Sequence, residues 1–147
     1  MEQLFNQLSG TLLNNLRTGE HLKVTIGGEN SQFVRFSQSK VRQSGLVDDA
    51  NLSLILINDG RTCSGSFTLT GNMDTDEETA MAELNRLRDE VGTLPKDPFV
   101  VMPDDTGSSR EEHEGSLINH ESAVSALSPA MQGVDLAAIW ASGKIFT

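Results

Sequence analysis

Residues 50–69 read ANLSLILINDGRTCSGSFTL, and this stretch decides the fold class. Its first part, residues 50–57, is apolar on both faces of an extended strand, which is the pattern of a strand buried on both sides at the centre of a sheet. Asp59 and Gly60 follow, and an Asp-Gly pair readily adopts the positive φ values of a tight hairpin turn. A strand over residues 61–69 then returns from that turn. The stretch therefore predicts a β-hairpin whose first strand is central in a sheet.

Two further strands are predicted upstream of this hairpin. Apolar residues alternate with polar ones over residues 21–26, and the pair Gly27-Gly28 that follows predicts a turn. A second alternating run covers residues 32–43. Together with the hairpin, these runs predict a four-stranded, largely antiparallel sheet.

Helical patterns flank the predicted strands. Residues 2–17 repeat leucine and phenylalanine at helical spacing, and Gly19 supplies a stop signal. Residues 74–91 begin with acids, which the helix dipole favours in a first turn, and carry an apolar stripe of Met81, Leu84, Leu87 and Val91. The order helix, sheet, helix predicts a two-layer α+β domain over residues 1–93, with both helices on one sheet face.

The remaining sequence is less regular. Residues 94–120 are rich in acids, Pro, Gly and Ser, which predicts a long loop, with its acidic part at 104–114 expected to be flexible. Residues 121–132 and 134–142 are interpreted as two short helices, and residues 144–147 as the start of a strand without a partner. We expect the segment 121–147 to lead toward a carboxy-terminal domain that is missing from this sequence.

Composition excludes several classes of function. The 147 residues carry a formal net charge of −10, and residues 72–121 account for all of it. Such an acidic chain lacks the basic footprint that nucleic-acid binding requires, so no nucleic-acid contact is expected. No apolar run is long enough to cross a bilayer and no secretory signal is present, so we expect a cytoplasmic protein with no membrane contact. The single cysteine, Cys63, is interpreted as a packing residue.

No complete catalytic or metal-binding set is evident. His113-Glu114 and His120-Glu121 suggest a metal site, but histidines seven residues apart on a helix lie about 10 Å apart along its axis, too far for one zinc ion. Neither GxSxG nor GxGxxG occurs. We therefore expect no catalytic residue, no metal ligand and no cofactor in this chain.

A basic cluster remains as the candidate binding surface. Arg35, Lys40 and Arg42 lie in the alternating run at 32–43. They are interpreted either as cations of an exposed strand that pair with nearby acids, or as a surface that holds a peptide or a partner subunit, because arginine forks suit carboxylates and carbonyls.

Three segments together resemble a known family. They are the strand FVRFSQSKVRQ at 33–43, the DGR hairpin at 59–61 followed by the small residues SGS at 64–66, and GVDLAAIWASGKI at 133–145. Their order and spacing resemble the amino-terminal domain of the TldD/TldE family of metallopeptidases, also known as PmbA-like proteins or modulators of DNA gyrase. One departure is Ala138, where relatives carry glycine.

The resemblance implies a function for this chain and implies that the chain alone does not perform catalysis. Catalytic family members hold zinc with an HExxxH helix and a cysteine that lie far downstream, and neither is present here, so this chain alone is expected to be inactive. Members form homodimers or TldD/TldE heterodimers and cut peptides or unfolded proteins. The resemblance therefore implies a structural domain that gates substrate access. Two alternatives stay open: a free-standing protein- or peptide-binding module that accepts a β-strand at its sheet edge, and a small independent enzyme.

Overall fold

A computed structural model describes residues 1–102, 107–113, 115–118 and 120–147. The predicted flexible loop at 104–114 lies partly outside the described residues. The elements, in chain order, are helix α1 (Glu2–Asn14), strands β1 (Glu20–Ser37), β2 (Lys40–Asn58) and β3 (Arg61–Thr68), helix α2 (Met73–Val91), helix α3 (His120–Leu127), a 3-10 helix (Ser128–Met131) and strand β4 (Ala138–Phe146). The strands form a sheet in the order β3-β2-β1-β4. The predicted α+β class, with two helices and a four-stranded antiparallel sheet, is confirmed.

The chain divides into two compact units, and strands β1 and β2 contribute to both. The first unit comprises residues 1–27, 50–107 and 147, and the second comprises 28–49 and 108–146. None of the described helices is long and apolar enough to span a membrane.

The core of the first unit lies between its helices and its strands. Strand β2 has neighbours on both sides, as the sequence predicted, and its leucines at 52, 54 and 56 are fully buried. Helix α1 adds Leu8 and Leu12 to this core, and α2 adds Leu84 and Leu87. Alternation in β2 and helical spacing in α1 and α2 therefore bring one apolar face of each element together.

Polar contacts fix the connections of the first unit. Asp59 and Gly60 form the predicted tight turn, with φ values of 51° and 70°. Lys96 and Arg61 both bind the Asp59 carboxylate, and these bonds hold its pKa below the usual range. The side chain of Asp76 is buried and accepts hydrogen bonds from Thr70 and Gly71, which fixes the connection from β3 into α2.

The second unit has a smaller core. Val34 and Phe36 of β1 are buried together with Met131 of the 3-10 helix. Partly buried apolar residues pack against this group: Leu127, Leu136, Ala138 and Trp140. The helix predicted at 121–132 is confirmed as α3 followed by the 3-10 helix.

The turn predicted at Gly27-Gly28 is wrong. Strand β1 runs through both glycines to Ser37, and neither glycine has a positive φ. The chain reverses instead at Gln38-Ser39, where φ is 51° and 55°. The run at 32–43 is therefore not one strand, as predicted, but the end of β1 and the start of β2. A two-residue turn with both φ values positive matches the right-handed twist of an antiparallel pair. Because neither residue is glycine, the sequence carries no strong signal for this turn.

The helix predicted at 134–142 is also wrong. Residues 138–146 form strand β4, which pairs antiparallel with β1 from Ala138↔Phe36 to Phe146↔Gly28. Lys144 and its neighbours therefore pair with β1, whereas the sequence predicted a strand start without a partner. Ala138 and Trp140 are partly buried while Ile139 and Ala141 are exposed, which is the period-two pattern of a half-buried strand.

Candidate functional site

The hairpin that joins β1 to β2 carries the three predicted cations. Arg35 lies near the end of β1, and Lys40 and Arg42 open β2. A non-glycine residue with positive φ costs about 1–2 kcal/mol, so the turn between these strands needs support. Hydrogen bonds between Ser39 and the segment 134–136 supply this support. The Ser39 N–H donates to the Leu136 carbonyl, and its hydroxyl donates to the Val134 carbonyl and accepts from the Leu136 N–H.

The structure brings two of the three cations together. Arg35 and Arg42 line one shallow depression of about 560 Å³. Its other lining residues are Phe36, Ser37, Ala137, Ala138 and Ile139. Lys40 does not line it, although all three side chains belong to exposed residues. The predicted surface of Arg35, Lys40 and Arg42 therefore contains a local site made by the two arginines, with Lys40 outside it.

These cations lack acidic partners in the described part of the chain. None of its carboxylates forms an ion pair with Arg35, Lys40 or Arg42. The side chain of Arg35 makes one long hydrogen bond, 3.4 Å from Nη1 to the Gln43 side-chain oxygen. The first interpretation from the sequence, that these cations pair with nearby acids, receives no support from the described residues. Both guanidinium groups can therefore donate hydrogen bonds to an external anion without first breaking an ion pair with a described carboxylate.

Sequence reasoning missed the apolar part of this depression. Ile139 of β4 lines it and is 62% exposed, and Ile145 further along the same strand is 78% exposed. The helix wrongly predicted at 134–142 concealed this arrangement. The sequence carries no clear signal for this arrangement, because the short apolar run Ala138-Ile139-Trp140-Ala141 fits a helix or a strand equally well.

Among the described residues, neither His113 nor Cys63 belongs to a reactive site. The described residues contain no group of three or more His, Cys, Asp or Glu side chains that could hold a metal ion. His113 is 87% exposed, 3.7 Å from the Glu111 carboxylate, and Glu114 lies outside the described residues. Burial, followed by a hydrogen bond to Glu90, raises the pKa of the Cys63 thiol. A thiol with a raised pKa is a poor nucleophile, which agrees with a packing role.

Comparison with known proteins gives matches at the level of structure. No protein-family model matches the chain, and no curated protein matches it in sequence. The solved structure of TldE from Thermococcus kodakarensis is similar, with a TM-score of 0.61 and 11% identity, over 97% of this chain and 37% of that one. A putative modulator of a DNA gyrase from Thermotoga maritima is also similar, with a TM-score of 0.54 and 13% identity, over 98% of this chain and 38% of that one.

These two likenesses concern the fold. They confirm that the chain has the fold of part of TldE and of the gyrase modulator, as the resemblance implied. The chain spans less than two fifths of the length of either protein.

Proposed function

We propose that this chain is the amino-terminal domain of a TldD/TldE-type metallopeptidase assembly, in which it has a structural role and gates access of peptides or unfolded proteins. The observation that carries the proposal is the fold likeness to TldE over 97% of the chain. Its support from the sequence is the order of the segments at 33–43, 59–61 and 133–145.

No step of peptide hydrolysis is assigned to this chain. Its described residues offer no ligand set that fits zinc, and its sequence contains neither GxSxG nor HExxxH. Zinc and its ligands belong, in this proposal, to the full-length catalytic member. The chain contributes surfaces instead, through a homodimer or through a heterodimer with a TldD/TldE-like subunit in the cytoplasm.

The test combines the chain with a TldD-type subunit that carries HExxxH. We expect the two to co-elute in size-exclusion chromatography, and we expect the chain to change the rate at which that subunit degrades an unfolded protein. The chain alone, supplied with zinc, should release no fragments. Leu54→Asp is the control, because a charge at this fully buried position disrupts the core and should abolish both effects.

A second candidate is a binding module that works without a peptidase. It is favoured by β4, which is the outermost strand on its side of the sheet and therefore presents backbone groups to which an extended peptide can add. Failure of the chain to co-elute with the catalytic subunit, together with an unchanged rate of degradation, would count against the first proposal and favour this one.

A further inference from the structure

We propose that the depression lined by Arg35, Arg42 and Ile139 binds the free carboxyl terminus of a peptide whose last residue is apolar. The proposal rests on the proposed function only in taking peptides as the class of ligand. The observation that carries it is that two guanidinium groups and an exposed aliphatic side chain line the same depression.

Charge favours an anionic ligand here. The chain carries a net charge of −10, yet Arg35 and Arg42 form no ion pair with a described carboxylate. A guanidinium presents a planar fork of N–H donors that matches a carboxylate in two parallel bonds. A ligand carboxylate therefore supplies the partner that the described residues do not.

The apolar wall favours a ligand that is not a simple ion. Ile139 is 62% exposed and is flanked in the depression by Ala138. Each square ångström of apolar surface removed from water contributes about 25 cal/mol, so an aliphatic side chain placed against Ile139 adds to the binding free energy. An inorganic anion would leave this wall in contact with water.

Geometry favours a peptide terminus over an internal acidic residue. In an extended peptide, the residues next to an internal Asp or Glu point away from the surface that holds its carboxylate, and the residues on the same face lie two positions, about 7 Å, along the strand. A terminal apolar residue carries its side chain and its α-carboxylate on the same Cα atom. Both groups can then reach the small space shared by the arginines and Ile139.

The direct test needs no variant of the protein. The probe is acetyl-Ala-Ala-Ala-Leu with a free carboxyl terminus, compared with the same peptide ending in an amide, each titrated into the 15N-labelled chain. We expect the free acid to shift the amide signals of residues 35, 42, 138 and 139, and we expect amidation to weaken binding at least tenfold, because bonds to charged groups are lost. Equal affinity of the two peptides would overturn the proposal.

Variants locate the site and test its chemistry. Arg35→Gln and Arg42→Gln should each weaken binding of the free acid about tenfold. Lys40→Gln is the matched control: it removes the same charge from the same hairpin but lies outside the depression, so affinity should stay within about twofold. An equal loss of affinity in Lys40→Gln would show a general effect of charge and would overturn the assignment of the site to the depression.

A third probe distinguishes a terminal carboxylate from the carboxylate of an internal acidic side chain. Acetyl-Ala-Asp-Ala-Ala-amide carries an internal acid and no free terminus, and it should bind at least tenfold more weakly than acetyl-Ala-Ala-Ala-Leu. Equal or tighter binding would assign the depression to acidic segments and overturn the proposal for a terminus. All these measurements use the isolated chain, so their failure is distinct from a failure to assemble with the catalytic subunit.

Discussion

At the scale of single residues, Glu20 and Arg88 form the most buried ion pair among the described residues. Their side chains are 3% and 8% exposed, and two bonds of 2.9 and 2.8 Å join the guanidinium to the carboxylate. Arg88 also donates to the Asn15 carbonyl at the end of α1, so the pair ties α1, β1 and α2 together. Glu20→Gln would leave the buried guanidinium without its anion, and we expect the free energy of unfolding to fall by about 3–5 kcal/mol in urea denaturation.

The control for this prediction is Glu83→Gln on helix α2. Glu83 also makes two bonds to an arginine, but that arginine, Arg86, is 44% exposed and keeps a second partner in Glu90. Water screens such a pair, so the loss should be about 1 kcal/mol or less. Equal losses in the two variants would contradict the special role of burial.

The same ion pair predicts part of the pH dependence of stability. The hydrogen bonds from Arg88 hold the pKa of Glu20 below its ordinary value of 4.5, and burial opposes them. The folded state therefore binds the proton less tightly than the unfolded chain, so the stabilisation is complete above pH 4.5 and is lost as pH falls through the lower folded-state pKa. In urea denaturation at a series of pH values, Glu20→Gln should show a shallower acid decline than the wild type; an unchanged slope would exclude this contribution.

Asp76 carries a second residue-scale prediction. The residue is 1% exposed, and its carboxylate accepts bonds of 2.8, 2.8 and 3.0 Å from the Thr70 N–H, the Thr70 hydroxyl and the Gly71 N–H. Asp76→Ala would leave these donors without their acceptor, so we expect a loss of about 2–4 kcal/mol in thermal or urea unfolding. Asp74→Ala removes an exposed acid from the same first turn and should cost about 0.5 kcal/mol. Similar losses would show that the helix dipole, and not the connection from β3, governs both positions.

At the scale of elements, two glycines make close contacts of different kinds. A Cβ atom added at Gly143 of β4 would collide with the backbone of Asn30 and Ser31 in β1. One added at Gly65 of β3 would meet only the ends of the Glu83 and Arg86 side chains, which can move. We therefore expect Gly143→Ala to cost about 1–3 kcal/mol and to disturb β4, and Gly65→Ala to cost clearly less.

The single tryptophan, Trp140, reports on this difference because it lies in β4 and is partly buried. Its fluorescence should shift to longer wavelength in Gly143→Ala and stay unchanged in Gly65→Ala. An unchanged spectrum with unchanged stability in Gly143→Ala would mean that the β1–β4 pair adapts to the added methyl group.

Elements with a strong local signal could be predicted from the sequence, and those that depend on distant contacts could not. Helix α2 and the Asp59-Gly60 turn follow from helical spacing and from a pair suited to positive φ. The Gln38-Ser39 turn depends on bonds from Ser39 to residues 134 and 136, nearly a hundred positions away. Strand β4 depends on its pairing with β1, and its short apolar run fits a helix or a strand equally well by sequence alone.

At the scale of the whole molecule, the candidate site could likewise be predicted only in the part that does not depend on long-range contacts. Arg35 and Arg42 could be selected from the sequence because they share one alternating segment. Ile139 could not be added to them, because its place in the depression follows from the long-range pairing Arg35↔Ile139. Lys40 was selected with the arginines because the sequence does not show which members of a basic cluster share a surface.

The two compact units differ in how much apolar surface they bury, and this difference predicts unequal stability. Thirteen of the seventeen buried apolar residues that the described chain contains belong to the first unit, and four belong to the second. Regions with fewer buried contacts open at lower free energy. In native-state hydrogen exchange, the β2 amides at residues 52–56 should exchange only through global unfolding, whereas the β4 amides should exchange through a local opening that leaves the first unit folded.

Variants in each core test this difference. Met131→Ala removes a buried side chain of the second unit and should lower the opening free energy of β4 by about 2 kcal/mol, with little change at residues 52–56. Leu54→Ala, at a fully buried position of the first unit, should lower the global unfolding free energy by about 3 kcal/mol and so accelerate exchange at residues 52–56. Equal acceleration of exchange in β4 and at residues 52–56 by Met131→Ala would contradict this prediction. The two units would then unfold together, because strands β1 and β2 contribute to both.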